Sequence, residues 1–271
     1  MEALLSEAKM IFPLKKAPLV HCITNEITSE LVANGLLFIG AKPIMAEDVR
    51  EFPALFEKTD SLFLNLGRIT PQKEQTLICA SATADGKPVV LDIVGAAATP
   101  LRLQLAHSLA NDQPSVLKGN ISELRAFCGL PTQSRGVDGS QADQNAAELS
   151  ELAAALCCQD PAITYLATGE KDLIVQKNQV WIMTNGVPEL DRFTGSGDLV
   201  GALIAALLGA GHQPLVATFA ALSYLNRCGE LAHDKLQPLI GMADFRHETL
   251  NQLSLLAHDP QWTQHVKGRK K

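Results

Sequence analysis

Short apolar runs of strand length keep taking turns with longer segments of helical character along most of this 271-residue chain. Pro18 to Ile23, Pro43 to Ala46, Ser61 to Leu66, Pro88 to Asp92, Ser115 to Lys118 and Ala162 to Ala167 read as strands. Between them lie helical stretches from Glu26 to Phe38, Pro71 to Asp85, Ile121 to Cys128 and Gln144 to Cys158, with Thr24 or Asn25 available to cap the first. Asp172 to Gln176 and Gln179 to Thr184 form an expected hairpin turning at Lys177-Asn178. The chain closes with helices from Gly197 to Leu208, from Pro214 to His233 and from Phe245 to Ala257. Alternation on this scale predicts an α/β fold: three layers, with a mainly parallel central sheet between two layers of helices.

No Ser/Gly/Pro linker or charge block divides the chain, so a single domain over residues 1–271 is expected. A hydrophobic content of 46% is enough to fill its core. The net charge of −6 argues against a general nucleic-acid binder. The basic tail Lys267 to Lys271 reads as a disordered end rather than a binding site. Six cysteines lie scattered without C-x-x-C spacing, which suits neither zinc nor a disulfide framework. With an acidic N-terminus, and no apolar run near the roughly 20 residues of a membrane span, a cytoplasmic protein with no membrane partner is expected.

In a sheet of this kind ligands bind beyond the carboxyl ends of the strands. Asn25, Met45, Asn65 to Gly67, Asp92, Lys118 to Asn120 and Thr168-Gly169 fall there and make a candidate rim. Thr194-Gly195-Ser196-Gly197-Asp198 adds a glycine-rich entry to an apolar helix. Gly195, Ser196 and Gly197 can offer N–H groups as an anion hole for a phosphate, and Asp198 can take the proton of an attacking alcohol. The same segment also reads as a plain helix start with a favourable acidic residue. Asn120 and Glu123, three apart, suit hydrated Mg²⁺ held through water, and equally suit a capping box. Asp92 is a metal or phosphate candidate, or a loop cap. Thr168-Gly169-Glu170 suits a nucleotide phosphate or a turn. His21 and Cys22 lie inside an apolar strand and read as core.

Taken in order, Val20 to Asn25, Ala33-Asn34 through Gly40 to Met45, Lys118 to Glu123, Arg135 to Asp138, Thr168 to Glu170 and Thr194 to Asp198 resemble hydroxyethylthiazole kinases of the ribokinase-like superfamily. The resemblance runs from about Pro18 to Leu253. It implies ATP-dependent phosphorylation of the primary alcohol of 4-methyl-5-(2-hydroxyethyl)thiazole, a thiamine salvage step, with ATP as co-substrate and Mg²⁺ as cofactor. By the same resemblance Met45, Gly195 and Asn25 contact the thiazole alcohol, and Lys118 and Thr168 contact ATP. Asp198 is then the base, and Glu123, Asp92 and Asn120 belong to the metal and phosphate region. The family's trimers, with sites between subunits, imply a homotrimer.

Three departures from the family pattern stand out. Asp198 replaces a common Cys, Asp92-Ile93-Val94 stands for Asp-Pro-Val, and Arg68 stands where a small hydroxyl residue is usual. The alternatives are a kinase for another heterocyclic alcohol such as hydroxymethylpyrimidine, a nucleotide-dependent NAD(P)H-hydrate dehydratase, or a non-catalytic thiazole or nucleotide sensor.

Overall fold

The computed structural model describes residues 1–84, 86–132 and 145–271. Arg135 to Asp138, part of the family resemblance, lies outside the described residues, as does the expected start of a helix at Gln144.

The strands β1 (Leu19–Ile23), β2 (Lys42–Ile44), β3 (Ser61–Asn65), β4 (Val89–Asp92), β5 (Val116–Asn120) and β6 (Thr164–Thr168) run parallel. The strands β7 (Asp172–Gln176), β8 (Gln179–Met183) and β9 (Gly268–Lys270) extend the sheet antiparallel, in the order β2, β1, β3, β4, β5, β6, β7, β8, β9. Lys177, at φ 54°, makes the tight β7–β8 turn where the sequence expects it. The basic tail departs from expectation. Instead of a free end, Gly268 to Lys270 pairs with Met183 to Trp181, and the Lys270 ammonium lies 5.4 Å from the centre of the Trp181 ring.

Neighbouring strand residues face opposite cores. Val20, Cys22, Phe63, Val90, Val116, Leu166 and Ile174 pack into one apolar cluster, while Leu62, Leu64, Leu91, Leu117, Tyr165 and Leu173 pack into another. Helices cover both faces, which is why the strands read as unbroken apolar runs rather than alternating ones. The first cluster takes in α1 (Glu2–Ala8), α2 (Ser29–Phe38), α8 (Ser196–Gly209), α9 (Pro214–Leu236) and α10 (Met242–Leu255). The second takes in α3 (Phe52–Phe56), α4 (Pro71–Ala82), α5 (Pro100–Ala110), α6 (Ile121–Phe127) and α7 (Ala146–Cys157). α8 lies directly on the sheet, because a methyl group at Gly201 would come within 2.4 Å of Phe63 Cε2.

Helices α1, α3 and α5 go beyond the sequence reading. In α5, Leu101, Leu103 and Leu105 alternate in a strand-like period, which masks the Thr99 cap and Pro100 that start it. α2 begins three residues later than expected. Asn25 Oδ1 accepts the Thr28 N–H at 3.1 Å in a local turn, and the Thr28 hydroxyl is turned away from the helix.

Candidate active site

The carboxyl ends of β1, β3, β4, β5 and β6 and the start of α8 surround a cavity of about 770 Å³. Asn25, Asp92, Lys118, Asn120, Glu123, Thr168, Gly195, Ser196, Gly197 and Asp198 all line it, so ten of the residues singled out in the sequence meet in space. Met45 does not line it. That side chain, one residue past β2, packs half-buried against the first apolar cluster. A second cavity of about 440 Å³ shares Thr168, Gly169, Asp191, Ser196 and Gly197 with the first, so the two are continuous along the start of α8.

The helix start is built on Gly195. Its φ of 100° lies in the left-handed region, and a methyl group there would come within 2.5 Å of Leu31 Cδ2 and 2.8 Å of Thr28 Cγ2. Helix α8 has no side-chain cap, so the N–H groups of its first turn are left for a ligand or water. The same turn carries Asp198, which is buried. Asp198 Oδ2 accepts Asn25 Nδ2 at 2.9 Å and the Thr28 hydroxyl, and Oδ1 accepts Asn65 Nδ2 at 3.0 Å. A carboxylate oxygen can take two bonds, so Oδ1 keeps one direction open for an alcohol hydroxyl.

Lys118 and Asp92, paired in register on β5 and β4, form a buried ion pair at 2.9 Å. Burial pushes the Asp92 carboxyl up to about 6; Lys118 counters this, and the charge of Asp198 adds to it. Burial disfavours the Lys118 ammonium, but Asp92 outweighs it and the pKa of Lys118 rises. A methyl group at Gly197 would sit 3.5 Å from Lys118 Nζ, which puts the ammonium beside the glycine-rich loop.

Asn120 and Glu123 form the capping box of α6, the plainer of their two readings. Glu123 Oε1 accepts the Gly95 N–H at 2.6 Å and Oε2 accepts the Asn120 N–H at 2.7 Å. Burial, reinforced by the charge of Asp92, lifts Glu123 to about 7. Among the described residues no group of three or more His, Cys, Asp or Glu could hold a metal ion.

Thr28 and Arg102 carry no role in the sequence reading, and Asn65 enters it only as part of the rim. Thr28 and Asn65 complete the collar around Asp198, and Asn65 is fixed in orientation because its Oδ1 accepts the Gly67 N–H at 2.7 Å. Arg102, on the unrecognised α5, donates to the carbonyls of Leu66 (2.7 Å), Val94 (2.9 Å) and Gly67, and so holds two strand exits together. In the sequence Asn65 is visible only as a strand end, and Thr28 only as the third residue after Asn25.

A sequence model of the hydroxyethylthiazole kinase family matches residues 14–259. A hydroxyethylthiazole kinase of Enterococcus faecalis is 53% identical over 264 residues, covering 96% of each chain. Hydroxyethylthiazole kinase 2 of Leuconostoc mesenteroides is 47% identical over 268 residues, covering 97% of each. The solved structure of a hydroxyethylthiazole kinase protein from Pyrococcus horikoshii superposes over 100% of both chains with a TM-score of 0.85 at 27% identity. A Staphylococcus aureus pyridoxal kinase, at 12% identity and a TM-score of 0.64, shares the fold.

Proposed function

Because the chain belongs to the hydroxyethylthiazole kinase family, we propose that it transfers a phosphoryl group from ATP to the primary alcohol of 4-methyl-5-(2-hydroxyethyl)thiazole, the thiamine salvage step. The observation that carries this reading is the union, in one cavity, of an uncapped glycine helix start, a buried Lys118–Asp92 pair and a carboxylate with one free acceptor direction. In phosphoryl transfer the protein mainly positions the reactants and neutralises charge. Gly195, Ser196 and Gly197 hold the transferring phosphate by their N–H groups, aided by the roughly half positive charge of the helix start. Asp198 takes the alcohol proton at Oδ1, while Asn25, Thr28 and Asn65 keep it aimed. Lys118 and Thr168 meet the nucleotide phosphates.

Mg²⁺ fits this site through water. Asp92 Oδ1 is buried without a partner among the described residues, whereas both Glu123 oxygens already accept backbone N–H groups. Asp92, Glu123 and Asn120 would meet waters of the hydrated ion rather than the bare ion, since Mg²⁺ dehydrates reluctantly. When bound, the ion neutralises charge on the transferring phosphate.

The placement of Met45 supports a homotrimer with shared sites. Met45 lies outside its own chain's cavity, beside the edge strand β2, with Leu37 and Phe38 of α2 exposed nearby in sequence. Met45 and Asn25, with Gly195, then contact the thiazole alcohol across a subunit boundary. We take the chain as a single kinase domain working in the cytoplasm. All six cysteines are free, and none of the described helices is long and apolar enough to cross a membrane.

The test is a substrate panel with ATP and Mg²⁺, read by ADP release and by the phosphorylated product. Turnover of the thiazole alcohol above hydroxymethylpyrimidine is expected. Repair of hydrated NAD(P)H without phosphorylation of any alcohol, or nucleotide binding without turnover, would overturn the reading.

A further inference from the structure

The smaller cavity is framed by a group that the proposed chemistry does not use. Asp172 opens β7 immediately after the turn that follows Thr168, and it is 4% exposed. Its two oxygens face two donors from different parts of the fold. Oδ1 accepts the Gly169 N–H at 3.0 Å, and Oδ2 accepts Asn226 Nδ2 of α9 at 2.9 Å. Asn226 Nδ2 also donates to the Asn185 carbonyl at 3.0 Å. Asn185 continues the line, with its Nδ2 donating to Glu230 Oε1 and to the His265 carbonyl, each at 2.9 Å. One run of bonds therefore joins the β6–β7 turn, helix α9 and the segment leaving β8. Gly169, Asp172, Asn185 and Asn226 all line the smaller cavity.

A buried carboxylate is an expensive way to make such a join. Among the described residues no cationic group bonds to Asp172, and burial pushes its pKa up to about 7 against the help of its two donors. The geometry explains why a cheaper amide does not stand here. Both neighbours are N–H donors, so position 172 must offer two acceptors, and an Asn would turn its own NH₂ on one of them. Asn226 is the matching half, because both of its Nδ2 partners can only accept.

The direction of the cavity says which end of the reaction this join serves. The larger cavity holds Asn25, Gly195 and Asp198, the alcohol end. The smaller one shares Ser196-Gly197 and Thr168-Gly169 with it but is not lined by Asp198. The smaller cavity, which shares that loop, has room for the nucleoside of a nucleotide whose phosphates lie there.

We propose that Asp172 and Asn226 are a positioning pair for the nucleotide, fixing the Thr168–Gly169 turn against α9 so that nucleotide affinity, and not alcohol affinity, depends on them. The inference rests on the reading of the chain as a nucleotide-dependent kinase.

The experiment measures ADP affinity by calorimetry without alcohol, together with KM for ATP, KM for the thiazole alcohol and kcat, in the full chain. In Asp172→Asn, loss of one hydrogen bond to a buried carboxylate weakens ADP binding and raises KM for ATP by about ten- to a hundredfold. KM for the alcohol stays within about twofold of the unmutated value, where uniform loosening of the fold would move both. If Asp172→Asn does not fold, Asn226→Ser, which keeps the Gly169 bond and cuts the tie to α9, is read the same way. ADP affinity within twofold of the unmutated chain in a folded variant overturns the proposal. So does an equal rise in both KM values, or failure of both single variants to fold. An unmutated chain that binds ADP but leaves the thiazole alcohol untouched refutes the proposed function alone, and the ADP titrations still decide the role of the pair. No ADP binding by the unmutated chain refutes both.

Discussion

Replacing Asp198 with Asn separates the chemistry of the site from its architecture. The carboxylate accepts three hydrogen bonds, two at Oδ2 from Asn25 and Thr28 and one at Oδ1 from Asn65. An amide has a single acceptor oxygen, so its NH₂ must face a donor. The less costly orientation keeps the oxygen on Asn25 and Thr28 and gives up the Asn65 bond, while Asn65 Nδ2 retains its long 3.4 Å contact with Asp92. Losing one bond to a buried carboxylate costs about 2 kcal/mol, or a few degrees of Tm. Losing the proton acceptor costs far more in rate, about 10²–10⁴ in kcat, equivalent to about 3–5 kcal/mol of barrier. The rate effect therefore dominates, in a protein that still folds and still binds ADP. A second signature follows at Asp92. Burial is the main force raising that carboxyl, Lys118 opposes it, and the charge of Asp198 adds to it, so Asp198→Asn lets Asp92 titrate below its present value of about 6. The assay is ADP release at saturating ATP and alcohol, beside ADP calorimetry, thermal melting and a carboxyl-carbon titration of Asp92. A kcat within tenfold of the unmutated chain would remove Asp198 as proton acceptor, and a parallel loss of ADP binding would make its role structural.

Gly195→Ala forces a methyl group into a left-handed backbone and to within 2.5 Å of Leu31 Cδ2, so a loss of about 2–4 kcal/mol in denaturant unfolding and a fall in turnover are expected as Thr28 is pushed from Asp198. Lys118→Met strands Asp92 in the core, costing about 3–5 kcal/mol at pH 8. The deficit shrinks at pH 5.5, where Asp92 is protonated; a pH-independent deficit in the melting curves would contradict this. Glu123 is lifted from near 4.5 to about 7, chiefly by burial, so the folded chain holds this proton more tightly than the unfolded one. The stability it confers is complete below about pH 4.5 and is lost as pH rises through about 7, about 3 kcal/mol for this group alone. Asp92 and Asp172 act with the same sign, whereas His21, whose pKa burial lowers, opposes them by losing stability as pH falls below its ordinary 6.5. The ligand-free chain should therefore melt at a lower temperature at pH 8 than at pH 6.5, and Glu123→Gln should flatten that slope; a Tm that rises with pH over this range would refute it.

Local patterning was enough to read the layered α/β fold, because strands buried on both faces leave apolar runs and helix starts leave caps and prolines. The β7–β8 hairpin was legible for the same reason, its turn residue and both strands being contiguous. Local rules also misled where a neighbour overrode them. Gly268 to Lys270 looks like a charged free end, yet it pairs with β8 and lays Lys270 over Trp181. Asn25 resembles a helix cap, yet its amide is spent on Asp198, 173 residues away.

The sequence by itself determined the chemical inventory: the glycine entry to α8, the carboxylate that follows it, and the polar residues at the strand exits. Their order alone pointed to a thiazole kinase. Only the tertiary structure decided which of them act together. Asn25 and Thr28 come from the β1–α2 connection and Asn65 from the end of β3, and they aim one carboxylate only because parallel strands end at one rim and α8 starts over it. Likewise, nothing local marks Asp172 or Asn226. The bond from Asn226 to Asp172, across 54 residues, exists only once β7 and α9 are packed, since hydrogen-bond geometry is a property of space and not of spacing along the chain.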